Sequence, residues 1–248
     1  MTKFGYSKAV GCLAFSTVVF AAPSWAQTRP PIAEEIAKAN GLDSFGQIEA
    51  IRYTFIGHIG DLSLSRSWVW EPKTSRVSYT AKDKDGKPVK VTYYESALGS
   101  EPAKVRDEID PAFLNDQYNL LFPLHVYWDE SADVQDMGTQ KLPLGTGTAK
   151  HVVVKYPSDG GYTPGDTWEL YLGPHDRVEQ FVYHRGGSMP PKVVIAKWSG
   201  YEKVGPLLIS TDRRGTADGK PLRVMLTNVA VKLVGSNKWV TAQRVAAR

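Results

Sequence analysis

Apolar and polar residues alternate along most of the chain beyond residue 46, with the period of two that β-strands show. Ile51, Tyr53 and Phe55 alternate with Arg52 and Thr54, which predicts a strand with one buried face. We predict further strands from similar runs, near residues 68–70, 77–79, 89–93, 151–156, 167–172, 178–183, 193–198, 207–211, 223–226 and 229–234.

Turn-forming residues separate these runs at short intervals. Asp85 and Gly86 lie between two β-rich runs and predict a hairpin, and the Ala217 to Gly219 segment has the composition of a tight turn. Closely spaced strands joined by tight turns favour an antiparallel sheet. No internal repeat or low-complexity linker interrupts the pattern, so residues 27–248 are expected to form one mainly β, α+β domain.

Two segments depart from the β pattern and predict helices. Ile32, Ala33, Ile36 and Ala37 follow a pair of prolines at helical spacing and precede the stop signal at Gly41, which predicts a short N-terminal helix. The stretch from residue 102 to 128 predicts one or two short helices that cross the sheet. Extended structure is expected to resume after Pro123.

The N-terminus has the three parts of a secretory signal peptide. Lys3 and Lys8 are basic, residues 9–22 are apolar or small, and Ser24 and Ala26 are the small residues that a signal peptidase requires. The apolar run of about 14 residues is shorter than the roughly 20 of a membrane-spanning helix. We therefore expect residues 1–26 to be removed and the protein to work in the periplasm, with release from the cell as the alternative.

Composition after residue 26 excludes several classes of protein. Cys12 is the only cysteine, so the mature chain forms no disulfide and has no thiol nucleophile. The 28 Lys and Arg residues that remain face 26 Asp and Glu residues, so the net charge is about +2 and no nucleic-acid partner is expected. No second apolar span follows the signal, so the mature chain is not expected to span a membrane.

Motifs for catalysis or for metal binding are missing from the sequence. The five histidines form no closely spaced pair, and neither a Gly-x-Ser-x-Gly motif nor a phosphate-binding glycine loop occurs. Asp166, in a Pro-Gly-Asp turn, has the chemistry of a base, but a role in orienting the loop is favoured. We predict no catalytic residue, no metal and no cofactor.

Aromatic side chains are the remaining candidates for a binding site. They are spread over several predicted strands and the helical insert, where they would either line an apolar pocket or fill an ordinary core. The pocket candidates are Trp68, Trp70, Tyr118, Leu121, Trp128 and Trp168.

The segments FLNDQYNLLFP at 113–123 and GYTPGD at 161–166 resemble those of a poorly characterised group of exported bacterial proteins. That group resembles the periplasmic family that carries and sorts outer-membrane lipoproteins. The resemblance implies a strongly curved antiparallel sheet in the form of an open half-barrel, with the N-terminal helix and the helical insert packed on its concave face. It implies acyl chains as ligands, but no binding residue of that family aligns with a position here.

Three hypotheses for the function follow. The first is a non-enzymatic periplasmic carrier of an acyl chain, a lipoprotein or another apolar ligand. The second is an envelope protein with a structural or partner-binding role. The third is an envelope hydrolase, which requires Asp116, Asp166 or a histidine to converge in one cleft.

Overall fold

The computed structural model describes residues 29–159 and 164–244. The predicted signal peptide, residues 1–26, lies outside the described residues. The described helices are α1 (Pro31–Ala39) and α2 (Asp110–Trp128), with shorter helical turns at Leu42–Gln47, Glu95–Ser100, Val105–Ile109 and Pro174–Asp176. The strands are β1 (Ile48–Ile59), β2 (Leu62–Glu71), β3 (Arg76–Lys82), β4 (Pro88–Tyr94), β5 (Asp133–Lys141), β6 (Thr148–Lys155), β7 (Thr167–Leu172), β8 (Val178–His184), β9 (Val193–Val204), β10 (Leu207–Ala217), β11 (Lys220–Leu233), β12 (Trp239–Thr241) and β13 (Gln243–Arg244).

All described strands belong to one antiparallel sheet. Its order is β4-β3-β2-β1-β11-β10-β9-β8-β7-β6-β5, with β12 beside β11 and β13 beside β9. From β1 to β4, each strand pairs with the next one towards one edge of the sheet. Strands β5 to β11 follow each other from the opposite edge, and β11 pairs with β1. Strands β4 and β5 end the order, so the curved sheet is an open half-barrel. The predicted fold class is therefore confirmed.

Helix α1 forms where the N-terminal pattern predicts it. Its buried residues are Ile32, Ala33, Ile36 and Ala37, and this apolar side packs against α2. Gly41 ends the turn with a positive φ of 100°, and a β-carbon there would lie 2.8 Å from a backbone oxygen. The predicted stop signal thus reflects both backbone conformation and lack of space.

Helix α2 crosses the concave face of the sheet. It is one helix of 19 residues with a bend at Leu121, next to the internal Pro123, whereas the sequence predicts one or two short helices. The expectation of extended structure after Pro123 is wrong, because the helix continues to Trp128. Since α2 is enclosed by the sheet and by α1, apolar residues surround it and no clear helical period marks its length.

Strands β11 and β5 are among those that differ from the prediction. Residues 223–226 and 229–234 predict separate strands, but they belong to β11, which bulges at Asn228 with a positive φ of 55°. Strand β5 was not predicted, because only Val134 among its residues is buried and no alternation results. It forms an edge of the sheet, where one face need not be apolar.

Candidate ligand-binding cavity

A cavity of about 660 Å³ separates part of α2 from the concave face of the sheet. It lies at the end of the half-barrel that carries the β1–β2, β8–β9 and β10–β11 connections. Ligand cavities commonly span about 300–1,000 Å³. The cavity thus has the size of a small-molecule or acyl-chain site.

One wall is apolar and is made by neighbouring strands. Phe55, Gly57 and Ile59 of β1 line it, together with Leu64 of β2 and Val224 of β11. Gly57 is in register with both Leu64 and Val224, so these three positions form one row across the sheet. Because successive strand residues point to opposite faces, the alternation that predicts β1 also places these side chains inside.

The opposite wall combines aromatic residues with one side of α2. Trp168, Phe181 and Tyr183 come from β7 and β8, while Leu114 and Tyr118 come from the helix. The Trp168 and Phe181 ring centroids are 5.3 Å apart. These rings provide a large apolar area for contact with a ligand.

An ion pair fixes α2 over the cavity. Arg66 of β2 donates hydrogen bonds from Nε and Nη2 to the two carboxylate oxygens of Asp116, at 2.8 and 2.6 Å. Trp68 Nε1 and Asn115 Nδ2 donate to the same carboxylate. Burial raises the pKa of Asp116, and the hydrogen bonds and charge of Arg66 oppose that rise.

Asp166 organises the mouth of the cavity. It accepts hydrogen bonds from the Tyr183 hydroxyl at 2.7 Å and from the Gly186 backbone N–H at 2.8 Å. These contacts join the Pro-Gly-Asp turn to the loop after β8, and burial raises the pKa of Tyr183 to about 12. Residues 161–163 of the GYTPGD segment lie outside the described residues.

A second polar network lies behind Tyr118. Asp129 accepts hydrogen bonds from the hydroxyls of Tyr118 and Tyr156, both at 2.7 Å, and lies 3.0 Å from His125 Nδ1. Burial raises the pKa of Asp129, but the hydrogen bonds and charge of His125, with both tyrosines, bring it below its usual value. The His125 Nε2 atom contacts Gln117 at 2.8 Å, so one ring nitrogen has a partner in α2 and the other has its partner at the C-cap of the helix.

Of the six predicted pocket residues, the structure brings Tyr118 and Trp168 to this cavity. Trp68 shares the inward face of β2, but its ring packs on Phe113 beneath α2. Trp70 donates a hydrogen bond to Glu95 at 3.1 Å.

The other two predicted residues lie further along α2. Leu121 is buried in the core, and Trp128 packs edge-on against Phe45 with 4.6 Å between ring centroids. Neither lines the cavity described above. The sequence analysis does not identify the row of Gly57, Leu64 and Val224. The alternation along β1, in which every second residue faces inwards, is a signal that indicates Gly57.

Three of the candidate acids and bases, Asp116, Asp166 and His125, occupy separate networks. Asp116 is bound by Arg66, Asp166 holds a loop, and His125 lies beside Asp129. His151 and His184 both contact Glu169, at 3.0 and 2.9 Å. Within residues 29–159 and 164–244, no group of three or more His, Asp or Glu side chains is arranged to hold a metal ion.

Comparisons with known proteins show a distant likeness to solved structures. No protein-family model matches the sequence, and no curated protein matches it significantly. One solved structure that it matches is a DUF1329 family protein from Desulfovibrio piger ATCC 29098, with 10% identity and a TM-score of 0.46 over 84% of this chain and 94% of that chain. The comparisons do not show membership in the lipoprotein carrier family. In the described part of the chain, no helix has the length and apolar character needed to cross a membrane.

Proposed function

We propose that the protein is a non-enzymatic periplasmic carrier that binds an acyl chain, a lipoprotein or another apolar ligand between α2 and the concave face of the sheet. The observation that supports this proposal most is the cavity of about 660 Å³ with largely aliphatic and aromatic walls. Such walls exclude water and favour apolar ligands.

Burial of a hydrocarbon chain supplies the binding free energy. Each buried methylene contributes about 0.8 kcal/mol, so a long chain gains affinity without a specific polar contact. Leu62 and Met189 line the cavity and are 60% and 67% exposed, which gives its mouth an apolar rim. A chain that enters there meets apolar surface from the rim inwards.

The arrangement of the polar groups favours a carrier over a hydrolase. A hydrolase requires a nucleophile or base and a stabilising donor around one substrate position. Here Asp116 and Asp166 each hold structural elements in place, through Arg66 and Gly186 respectively. Binding without chemistry accounts for these contacts.

The proposal is tested on protein purified from its own periplasm. The mature chain, from Gln27 onwards, is extracted with organic solvent and the extract is analysed by mass spectrometry. A lipid, lipopeptide or other amphiphile at a stoichiometric amount supports the carrier. A ligand-free protein that also binds no added long-chain amphiphile contradicts it and shifts the interpretation to a structural or partner-binding role.

A further inference from the structure

Arg213 is a fully buried cation at the inner end of the cavity. Its side chain points inwards from β10, in register with Val224 and Trp198, and its guanidinium carbon lies 3.5 Å from the centre of the Trp198 ring. Arg213 lies four residues before Ala217, the last residue of β10. It is therefore on the side of the cavity that is away from the loops. Burial lowers the pKa of Arg213 to about 9, so it remains charged at neutral pH.

In the described part of the chain, every hydrogen-bond partner of Arg213 is a neutral oxygen. Nη1 donates to the backbone and hydroxyl oxygens of Ser210, at 3.0 and 2.9 Å, and Nη2 donates to the Asn119 carbonyl at 2.5 Å. Nε is buried and has no partner among the described residues. Three of the five N–H donors of the guanidinium are thus engaged, so it keeps two unused donors, one of them on Nε, and its full positive charge.

No carboxylate of the described residues forms an ion pair with Arg213. Its neighbour Asp212 points to the other face of the sheet, where it pairs with Arg214 and Arg223. Arg66, a half-buried arginine beside the cavity, is neutralised by Asp116. A buried charge is normally paired, and the described residues do not supply the anion that would pair with Arg213.

The lining of the cavity agrees with an anionic ligand. Its described residues include three arginines, Arg66, Arg185 and Arg213, and one carboxylate, Asp166, which lies at the mouth. On the lining, Trp168 Nε1 is a second buried N–H donor that has no partner within residues 29–159 and 164–244. Buried N–H donors normally have a hydrogen-bond acceptor, and a carboxylate is the acceptor that best matches a guanidinium.

We propose that the ligand is a long-chain amphiphile with a carboxylate head, which enters head first, pairs with Arg213 and leaves its hydrocarbon chain along the apolar wall towards the mouth. This inference rests on the carrier function and names the ligand class. This role for Arg213 differs from a purely structural one, in which its side chain would only link β10 to α2. A purely structural link would not make the protein discriminate between a charged and a neutral head group.

The test compares hexadecanoate with hexadecan-1-ol, which has the same chain and a neutral head, at a slightly alkaline pH and below micelle formation. Binding is followed by the fluorescence of tryptophan and by calorimetry. The unmodified mature protein is expected to bind the acid on the order of tenfold more tightly than the alcohol, as a charge-assisted hydrogen bond implies. Arg213→Met is expected to bring this ratio to about one, and Arg213→Lys to retain part of it.

Arg214→Met is the matched control, because this neighbouring side chain is 60% exposed and points to the other face. It is expected to leave the ratio unchanged, and thermal unfolding checks that each variant is folded. Should Arg213→Met fail to fold, the ratio in the unmodified protein and in Arg213→Lys decides the question. Equal binding of acid and alcohol by the unmodified protein overturns this inference and leaves the carrier intact, whereas binding of neither overturns both.

Discussion

Arg66 and Asp116, fifty positions apart in the sequence, meet through two parallel hydrogen bonds of 2.8 and 2.6 Å. Arg66 lies on the inward face of β2 and Asp116 on the buried side of α2. Trp68, two residues further along the same face, adds a third donor to the carboxylate. This contact holds the helix across the sheet and thereby encloses the cavity.

Removal of the charge at this contact is expected to destabilise the fold. Asp116→Asn leaves Arg66 as a half-buried cation without its counter-charge, which costs about 3–5 kcal/mol. The free energy of unfolding, measured with denaturant, checks this prediction. Glu108→Gln, which breaks the exposed pair with Lys104, is the control and is expected to have little effect. Equal stability of both variants would show that the buried pair does not hold α2 in place.

Glu95 is expected to make stability depend on pH. Burial raises its pKa from 4.5 to about 7, a rise that the hydrogen bond from Trp70 opposes and the nearby Asp110 increases. Folding therefore favours protonated Glu95: the stabilisation is complete below about pH 4.5 and is lost as the pH rises through about 7. Glu95→Gln, which stays neutral, should flatten the pH profile of the thermal midpoint over this interval. The exposed Glu130→Gln serves as control, and an unchanged profile in Glu95→Gln would contradict the prediction.

Gly215 lies where β10 approaches β9 too closely for a side chain. A β-carbon at this position would overlap the backbone of Ile195 and Ala196. Gly215→Ala is expected to destabilise the protein by on the order of 1–3 kcal/mol, because the neighbouring strand must move. Gly46→Ala, at an exposed position with nothing within 4 Å, should be neutral or slightly stabilising. Thermal unfolding of the two variants measures the contrast, and similar midpoints would rule out the close approach.

Periodicity predicts the sheet well because most strands have one buried face. The alternation from Ile51 to Phe55 places β1, and the Asp85-Gly86 turn lies between β3 and β4 as expected. Helix α1 is likewise predicted from the spacing of Ile32 and Ile36 and from its stop signal. Local rules suffice here because each element has one apolar and one polar side.

Local rules fail where an element is buried on all sides or on none. Helix α2 lies between the sheet and α1, so its apolar residues show no clear period. The sequence pattern therefore predicts neither the length of the helix nor its bend at Leu121. The site is harder still, because the same inward row of β2 contributes Leu64 to the cavity and Trp70 to the packed end. Only the path of α2 decides which of them borders open space. The alternation of β10 puts Arg213 on the face of Leu207 and Ile209, but nothing in the sequence indicates that a charged side chain there is fully buried.

The proposed ligand occupies the space between α2 and the concave face. Leu64→Trp fills that space, and Ser65→Trp places the same residue outside it, at the exposed neighbouring position on the opposite face of β2. Both variants are purified from the cells that produce them, checked for folding, and compared by mass spectrometry for bound amphiphile per protein. We expect normal occupancy in Ser65→Trp and a loss of most of the ligand in folded Leu64→Trp. Equal occupancy in the two variants would contradict it.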